Sequence, residues 1–198
     1  MTVLNLQVNA GNQDARTLIG SFLWDTTLAD DFAGNSGGNT GEMWDRWTSV
    51  TIPQGTVASS AILSYWASAH GGNGNAKIIS KCENADNSTM PTSGSDAAGR
   101  TMTTGTTWDF VPTDSAWNTK DIVADVNVVF ARSGWASGNA LSVRTIDNGS
   151  ASNAYLQAKR YDGDSTKGAK LDITYSAGGA ALTPAYFHNR AVNRASFF

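Results

Sequence analysis

The sequence predicts an all-β sandwich carrying one short helix, and three observations lead there. Apolar residues alternate with polar ones through most of the chain, which is the period of a strand with one face buried. The alternating runs are separated by Gly, Asn, Asp and Ser, the residues that make tight turns. The composition points the same way: of 198 residues, 20 Ser, 21 Thr, 16 Asn and 20 Gly make 77, Glu occurs twice (Glu42, Glu83), and the charged fraction is 16 %, against roughly 25 % for ordinary globular domains. Helix bundles and coiled coils need far more Glu, Lys and Leu than this.

Taken in order, Val3 to Val8 alternates, Thr17 to Trp24 is β-leaning, and Gly and Asn fill residues 33–41, which read as a loop. Further runs follow at Met43 to Ile52, Ala58 to Ala69, Ala76 to Cys82, Arg100 to Phe110, Ala140 to Ile146, Asn153 to Tyr161 and Ala169 to Tyr175, giving about nine strands. In the last run Leu171, Ile173 and Tyr175 oppose Lys170, Asp172 and Thr174, the pattern of a sheet with one packed and one wet side. The run 61–67 differs, because Leu63 and Tyr65 take one face while Ile62 and Trp66 take the other. Both of its faces require cover, from the chain's own loops or from another subunit. Trp66 and Trp135 are expected in the core. Helical period appears once, from Asp121: Ile122, Val123, Val126, Val129 and Phe130 share a stripe, Thr119 is placed to cap it, and Arg132 and Gly134 end it.

Beyond Tyr175 the character changes to a Gly/Ala linker and a cationic aromatic tail. The expected division is residues 1–176 as one folded domain and 177–198 as linker and anchoring tail. Tyr186, Phe187, Phe197 and Phe198 cannot form a core in so short a segment, so they would fold back on the domain or dock on a partner, with Arg190 and Arg194 meeting acidic groups there. The whole chain carries net −3, and without the two tail arginines residues 1–175 carry −5. No basic field is present to attract phosphate, so nucleic acid is not expected as a partner. The start shows no basic and apolar signal, and no run is long enough to span a bilayer as a helix, so no export signal and no membrane partner are expected. With Cys82 the one cysteine, no intramolecular disulfide and no thiolate metal site can form.

The stretch Val50-Thr-Ile-Pro-Gln-Gly-Thr-Val-Ala-Ser-Ser-Ala-Ile-Leu, the helix ending in Arg132-Ser-Gly-Trp-Ala-Ser-Gly-Asn-Ala-Leu141, and the finish Tyr161-Asp-Gly-Asp followed by Leu171-Asp-Ile-Thr-Tyr175 carry a resemblance. Over roughly two thirds of its length the chain resembles a family of non-catalytic jelly-roll β-sandwich domains found in bacterial surface proteins, beside carbohydrate-active modules, and in bacteriophage virion proteins. The resemblance implies a jelly-roll sandwich of about eight or nine strands, with one short helix and an extended C-terminal tail. It also implies a virion structural protein, a capsid decoration (cement) protein or head or tail fibre component. Such a protein would be made in the host cytoplasm, located in the virion and bound to the major capsid or other virion proteins. Self-association, expected as a trimer, would cover the second apolar face of 61–67.

Chemistry-bearing residues are sparse, and neither an enzyme nor a cofactor is expected. Of the two histidines, His70 precedes a Gly-rich turn and His188 lies in the tail, so neither shows a rigid partner. Asp30, Asp31, Asp162 and Asp164 are the carboxylates available for a paired-acid hydrolase. Asp162-Gly-Asp164 could offer oxygens to calcium but reads first as a turn, since it lacks the ligand count of a calcium loop. The competing function is a carbohydrate-binding module or adhesin for a host surface glycan, with Trp44, Trp47, Trp108 and Trp117 near loops and available to stack on sugar; Trp24 is similarly placed. Trp44 and Trp47, three apart in a strand, cannot share a face.

Overall fold

The computed structural model describes residues 1–18 and 23–176. The tail residues proposed as an anchor and His188 lie outside the described residues, as does the part of the 17–24 run between 18 and 23. Twelve strands form one curled sheet: β1 (Thr2–Gln7), β2 (Asp14–Leu18), β3 (Leu23–Asp25), β4 (Asp30–Ser36), β5 (Asn39–Trp47), β6 (Ala58–His70), β7 (Ala76–Cys82), β8 (Thr106–Phe110), β9 (Ala116–Asp121), β10 (Leu141–Asp147), β11 (Ala154–Lys159) and β12 (Lys170–Tyr175). Two α-helices accompany them, α1 (Gly94–Gly99) and α2 (Val123–Phe130). The main path runs β1-β12-β6-β11-β4-β5-β10-β7-β8; β2 joins the other edge of β5 and carries β3, and β9 lies along β6. Every strand pair is antiparallel.

The curl turns one side of the sheet inward around a single large apolar cluster that includes Met43, Trp47, Leu63, Tyr65, Ile78, Val143, Leu156, Leu171 and Ile173. Burial follows the period of two. Along β12, Leu171, Ile173 and Tyr175 are buried and Lys170, Asp172 and Thr174 are not. Trp135 is in this core as expected, its indole N–H donating to Ile52 O at 2.9 Å and its ring packed on Phe130. A smaller cluster of Ala15, Trp44 and Ala97, with Trp24, Met90 and Met102 against it, lies on the opposite side of β5. Trp44 and Trp47 therefore occupy different faces, as their spacing requires.

Three local expectations are corrected. Residues 33–41 are not a loop but most of the β4–β5 hairpin, with Ser36 opposite Asn39 across Gly37 and Gly38. Both glycines have positive φ, +61° and +90°, which is the two-residue turn whose twist matches the flanking strands. Gly41 is a strand glycine because a Cβ there would collide with Phe32. The helix starts later than its stripe suggests: pairing of β9 with β6 keeps the backbone extended through Asp121, so Thr119 is an exposed strand residue and the Asp121 carboxylate accepts from the N–H groups of Val123 and Ala61. The run from Arg100 gives a strand only from Thr106, after Gly105 turns the chain at φ +94°. Helix α1 and strand β9 were not anticipated; Ser93 caps α1 by accepting from Asp96 N–H at 3.1 Å.

Candidate functional site

Each end of the sheet has its own chemistry. At one end Tyr175 stands opposite Thr2 and Ala58, so the first strand and the last begin and finish side by side. The Asn127 side chain holds the start of β6 there, accepting from Ala58 N–H at 2.8 Å and donating to Ala58 O at 3.1 Å. Around this terminal end Met1 is 90 %, Val57 75 % and Val128 48 % exposed, three apolar side chains turned to water where the chain leaves β12. The other end is built of turns. Asn73 N–H donates to Asn153 O and its side-chain amide to Ser152 O, Asn75 donates to Asp109 at 2.6 Å, and Ser150 bridges to Lys77. This loop end is built mainly of small polar residues, with Val111 57 % exposed among them, and its backbone groups are held by Asn and Ser side chains.

The outer face of the sheet carries an aromatic pair. Trp66 on β6 is the register partner of Trp117 on β9, and their half-buried rings meet edge to face at 5.6 Å. The Lys167 ammonium lies 4.8 Å from the Trp66 ring centre and the Lys170 ammonium 4.0 Å from that of Trp117, a distance at which the ring quadrupole attracts a cation. Trp66 is thus an outward residue, not the core residue expected, and the second face of β6 receives at least part of its cover from its own chain.

The largest departure from expectation lies inside. Asp14 and Asp45 are direct register partners on β2 and β5, and both are buried together with Asp31 of β4 and Arg160 just beyond β11. The Arg160 guanidinium sits 2.9 Å from Asp45 and 3.5 Å from Asp14, and it donates to Trp44 O at 2.9 Å; Arg16 approaches Asp31 at 3.9 Å. Burial pushes the Asp14 carboxyl up to about 6 against the pull of Arg160. It raises Asp31 well above the usual carboxylate range and raises Asp45 as well. Burial also works against the Arg160 charge, but the carboxylates of Asp45, Asp14 and Asp31 outweigh it and hold the guanidinium protonated.

From Asp45 a chain of hydrogen bonds crosses the core. Its direction is fixed at the Asp45 end, because the Tyr65 phenol spends its one proton on that carboxylate and must accept from Thr145, which must then accept from Ser80. Trp108 Nε1 donates to Ser80 Oγ at 3.0 Å. Ser80 then donates to Thr145 at 2.7 Å, Thr145 to Tyr65 Oη at 2.9 Å, and Tyr65 Oη to Asp45 Oδ2 at 2.9 Å. Five strands are joined through side chains that are all buried, and the chain ends on a carboxylate that accepts. A sequence signal for it exists: Asp45 falls between Met43 and Trp47 on one face of β5, and an acid on an apolar face needs a buried cation and donors.

The remaining candidates fall in scattered places. Trp44, Trp47 and Trp108, expected near loops and open to sugar, are no more than 3 % exposed, because Trp47 and Trp108 face the main core and Trp44, on the other side of β5, is covered by the smaller cluster. Trp117 remains at the surface, half-buried, and Trp24 is half-buried against the smaller cluster. His70 ends β6 just before its Gly-rich turn, as the sequence places it, and it has the partner the sequence did not show: Asp114, 2.8 Å from its Nδ1. Asp30 pairs with Lys159 at 2.8 Å on the outside of β4, while Asp31 points into the buried cluster. Asp164 accepts from the Thr166 N–H and hydroxyl, which lower its pKa, and Asp162 is exposed beside it. That turn uses Asp164 internally, as its sequence suggests. Among the described residues, no group of three or more His, Cys, Asp or Glu side chains is arranged to hold a metal ion, and no helix is long and apolar enough to cross a membrane. No family model matches the chain, and no curated protein matches it.

Proposed function

We propose that this chain is a jelly-roll β-sandwich module of a bacteriophage particle, a capsid decoration protein or a head or tail fibre component, which works by association through its terminal end. The observation that carries this is the convergence of Thr2, Ala58 and Tyr175 on one end, ringed by the exposed Met1, Val57 and Val128. Apolar residues grouped in this way mark contact surfaces, and the loop end with its Asn and Ser turns is then the displayed end. The curled antiparallel sheet supports the jelly-roll assignment, and the hydrogen-bond chain across the core suits a rigid displayed module. Desolvating a surface rich in Ser, Thr, Asn and Gly costs less than desolvating one of Lys and Glu. The case for a trimer rested on an uncovered second face of β6, and Trp117, Lys167 and Lys170 now supply cover there.

Co-sedimentation with particles lacking this protein tests the proposal. Full-length protein is expected to bind, Val57→Asp with Val128→Asp to weaken binding at least about tenfold, and a Gly72→Asp change at the loop end to leave it unaltered. Equal binding by all three sinks it.

One observation favours a second reading, a glycan-binding module: the Trp66–Trp117 pair with two ammonium groups on the outer face. It calls for an acidic sugar, whose carboxylate would take the lysines while its ring packs on indole. Quenching of tryptophan fluorescence by glucuronic or sialic acid oligomers, lost in Trp117→Ala, would support it; no response to either would remove it.

A further inference from the structure

Among the described residues four strands have one unpaired edge: β1, β3, β8 and β9. An unpaired edge presents a row of free N–H and C=O groups to any other strand, and proteins block this with charges, proline, bulges or extreme shortness. Three of the four are blocked in that way. Strand β3 is three residues long and ends in Asp25, β8 carries Asp109, and β9 carries Lys120 and Asp121. Strand β1 is not. It runs Thr-Val-Leu-Asn-Leu-Gln with no charge and no proline, pairs with β12 over all six residues without a register shift, and leaves Val3 54 % exposed.

We infer that the free edge of β1 is a self-association edge, on which a second copy of this chain places its own β1 antiparallel about a two-fold axis. Register follows from which side chains face inward. Leu4 and Leu6 face the core and are half-buried, while Val3 and Asn5 face out and are exposed. A two-fold antiparallel pair keeps these faces matched when the residue numbers of opposed positions sum to an even value. In the register centred on Asn5, each Leu4 meets the second copy's Leu6. This completes the cover that both leucines lack and sets the two Asn5 amides opposite each other, where they can hydrogen-bond. Every other strand pair in the fold is antiparallel, so the added pair extends the sheet without changing its geometry. A copy of the same uncharged strand also brings no like charges together. The inference does not depend on the phage assignment or on the terminal end, since Val57 and Val128 lie off this edge.

Cysteine cross-linking tests both the pairing and its register, with Cys82 buried and out of reach of other copies. Asn5→Cys in the full chain is expected to give a covalent dimer on oxidation with diamide, because opposed residues of an antiparallel pair have Cα atoms within disulfide range. Val3→Cys faces Gln7 of the second copy in this register and is expected to cross-link about tenfold less. Asn5→Lys, which sets two ammonium groups at the axis, is expected to weaken dimerisation at least about tenfold in sedimentation equilibrium, with the fold unchanged by circular dichroism. A chain cut after residue 176 keeps β1 and should dimerise like the full chain. The inference is overturned if the unmodified protein is monomeric at high micromolar concentration, if Val3→Cys cross-links as well as Asn5→Cys, or if removing 177–198 abolishes the dimer.

Discussion

Arg160 and Arg100 each sit among carboxylates, yet Asp96 beside Arg100 and the acids around Arg160 shift in opposite directions. Arg100, at the rim beside α1, donates to Asp96 through Nε at 2.8 Å and Nη2 at 3.1 Å and reaches Glu83 at 2.7 Å. Its hydrogen bonds, with one from the Thr92 N–H, hold the Asp96 carboxyl down at about 2. Arg160 has comparable partners in Asp45 and Asp14, but there burial dominates and the acids move up. Pairing is similar in kind at the two places; access to water differs. At the rim a charged acid keeps its hydration and gains a cation, whereas in the core it loses hydration that one guanidinium and a more distant second do not replace for three carboxyls. A buried ion cluster is therefore no simple store of stability. It fixes the geometry of the strands that contribute to it and penalises loss of any one partner.

The largest effect expected from this difference is at Arg160. Removing it in Arg160→Met leaves Asp14 and Asp45 buried without their cation and should cost about 3–5 kcal/mol in urea unfolding at pH 7, against about 1–3 kcal/mol for Arg100→Met, whose partner Asp96 stays hydrated and whose buried partner Glu83 keeps the Ser88 hydroxyl as a donor. Equal losses would show that burial is not what separates the two sites. Next comes the hydrogen-bond chain: Tyr65→Phe keeps the ring but strands Thr145 and Asp45, with an expected cost of about 1–3 kcal/mol. If Tyr65→Phe is neutral, the chain does not run through the phenol.

A smaller effect follows from pH. The Asp14 carboxyl titrates near 6 in the fold and near its ordinary, lower value when unfolded, so the folded state binds more protons between those values. Stability should thus rise as pH falls, by about 1 kcal/mol from pH 7 to pH 5, with Asp31 and Asp45 acting in the same direction. Below about pH 4 the trend reverses, because Asp25, Asp96 and Asp164 have lowered values and their contribution is lost as they protonate. Urea unfolding across pH 3 to 8 checks this, and Asp14→Asn should flatten the rise. Smallest is salt: about 1 M NaCl should narrow the gap between wild type and Arg100→Met, since rim charges are screened, and leave the Arg160→Met loss nearly unchanged.

How much of this was legible in the sequence differs by region. Strand β7 was bounded correctly, and β1, β6, β10, β11 and β12 to within one or two residues at each end, because each alternates over its whole length and is closed by Gly, Asn or Asp. The stripe of α2 was legible residue by residue, but its start was not: Thr119 looks like a cap until β6 is known to hold it extended. Residues 33–41 failed for a related reason, since glycine is both a loop residue and the residue that permits a two-residue hairpin and a tight crossing over Phe32. Nearness to turns suggests exposure for Trp44, Trp47 and Trp108, yet all three sit in strands covered on the sides they face. Trp66, in the middle of a strongly apolar strand, turned out to face outward.

By itself the sequence determined the class of fold, most of the strands, the inward and outward residues of β12, and the separation of Trp44 from Trp47, all of which depend on neighbours a few positions apart. Only the tertiary structure decided that Asp14, Asp31, Asp45 and Arg160, spread over nearly the whole chain, share one buried cluster. It alone brought Trp66 against Trp117, set Tyr175 beside both Thr2 and Ala58, and left β1 as the unguarded edge. Those facts depend on which strands become neighbours. Alternation sets the face a side chain takes, and the energy that selects partners across the sheet comes from contacts between residues far apart in the chain.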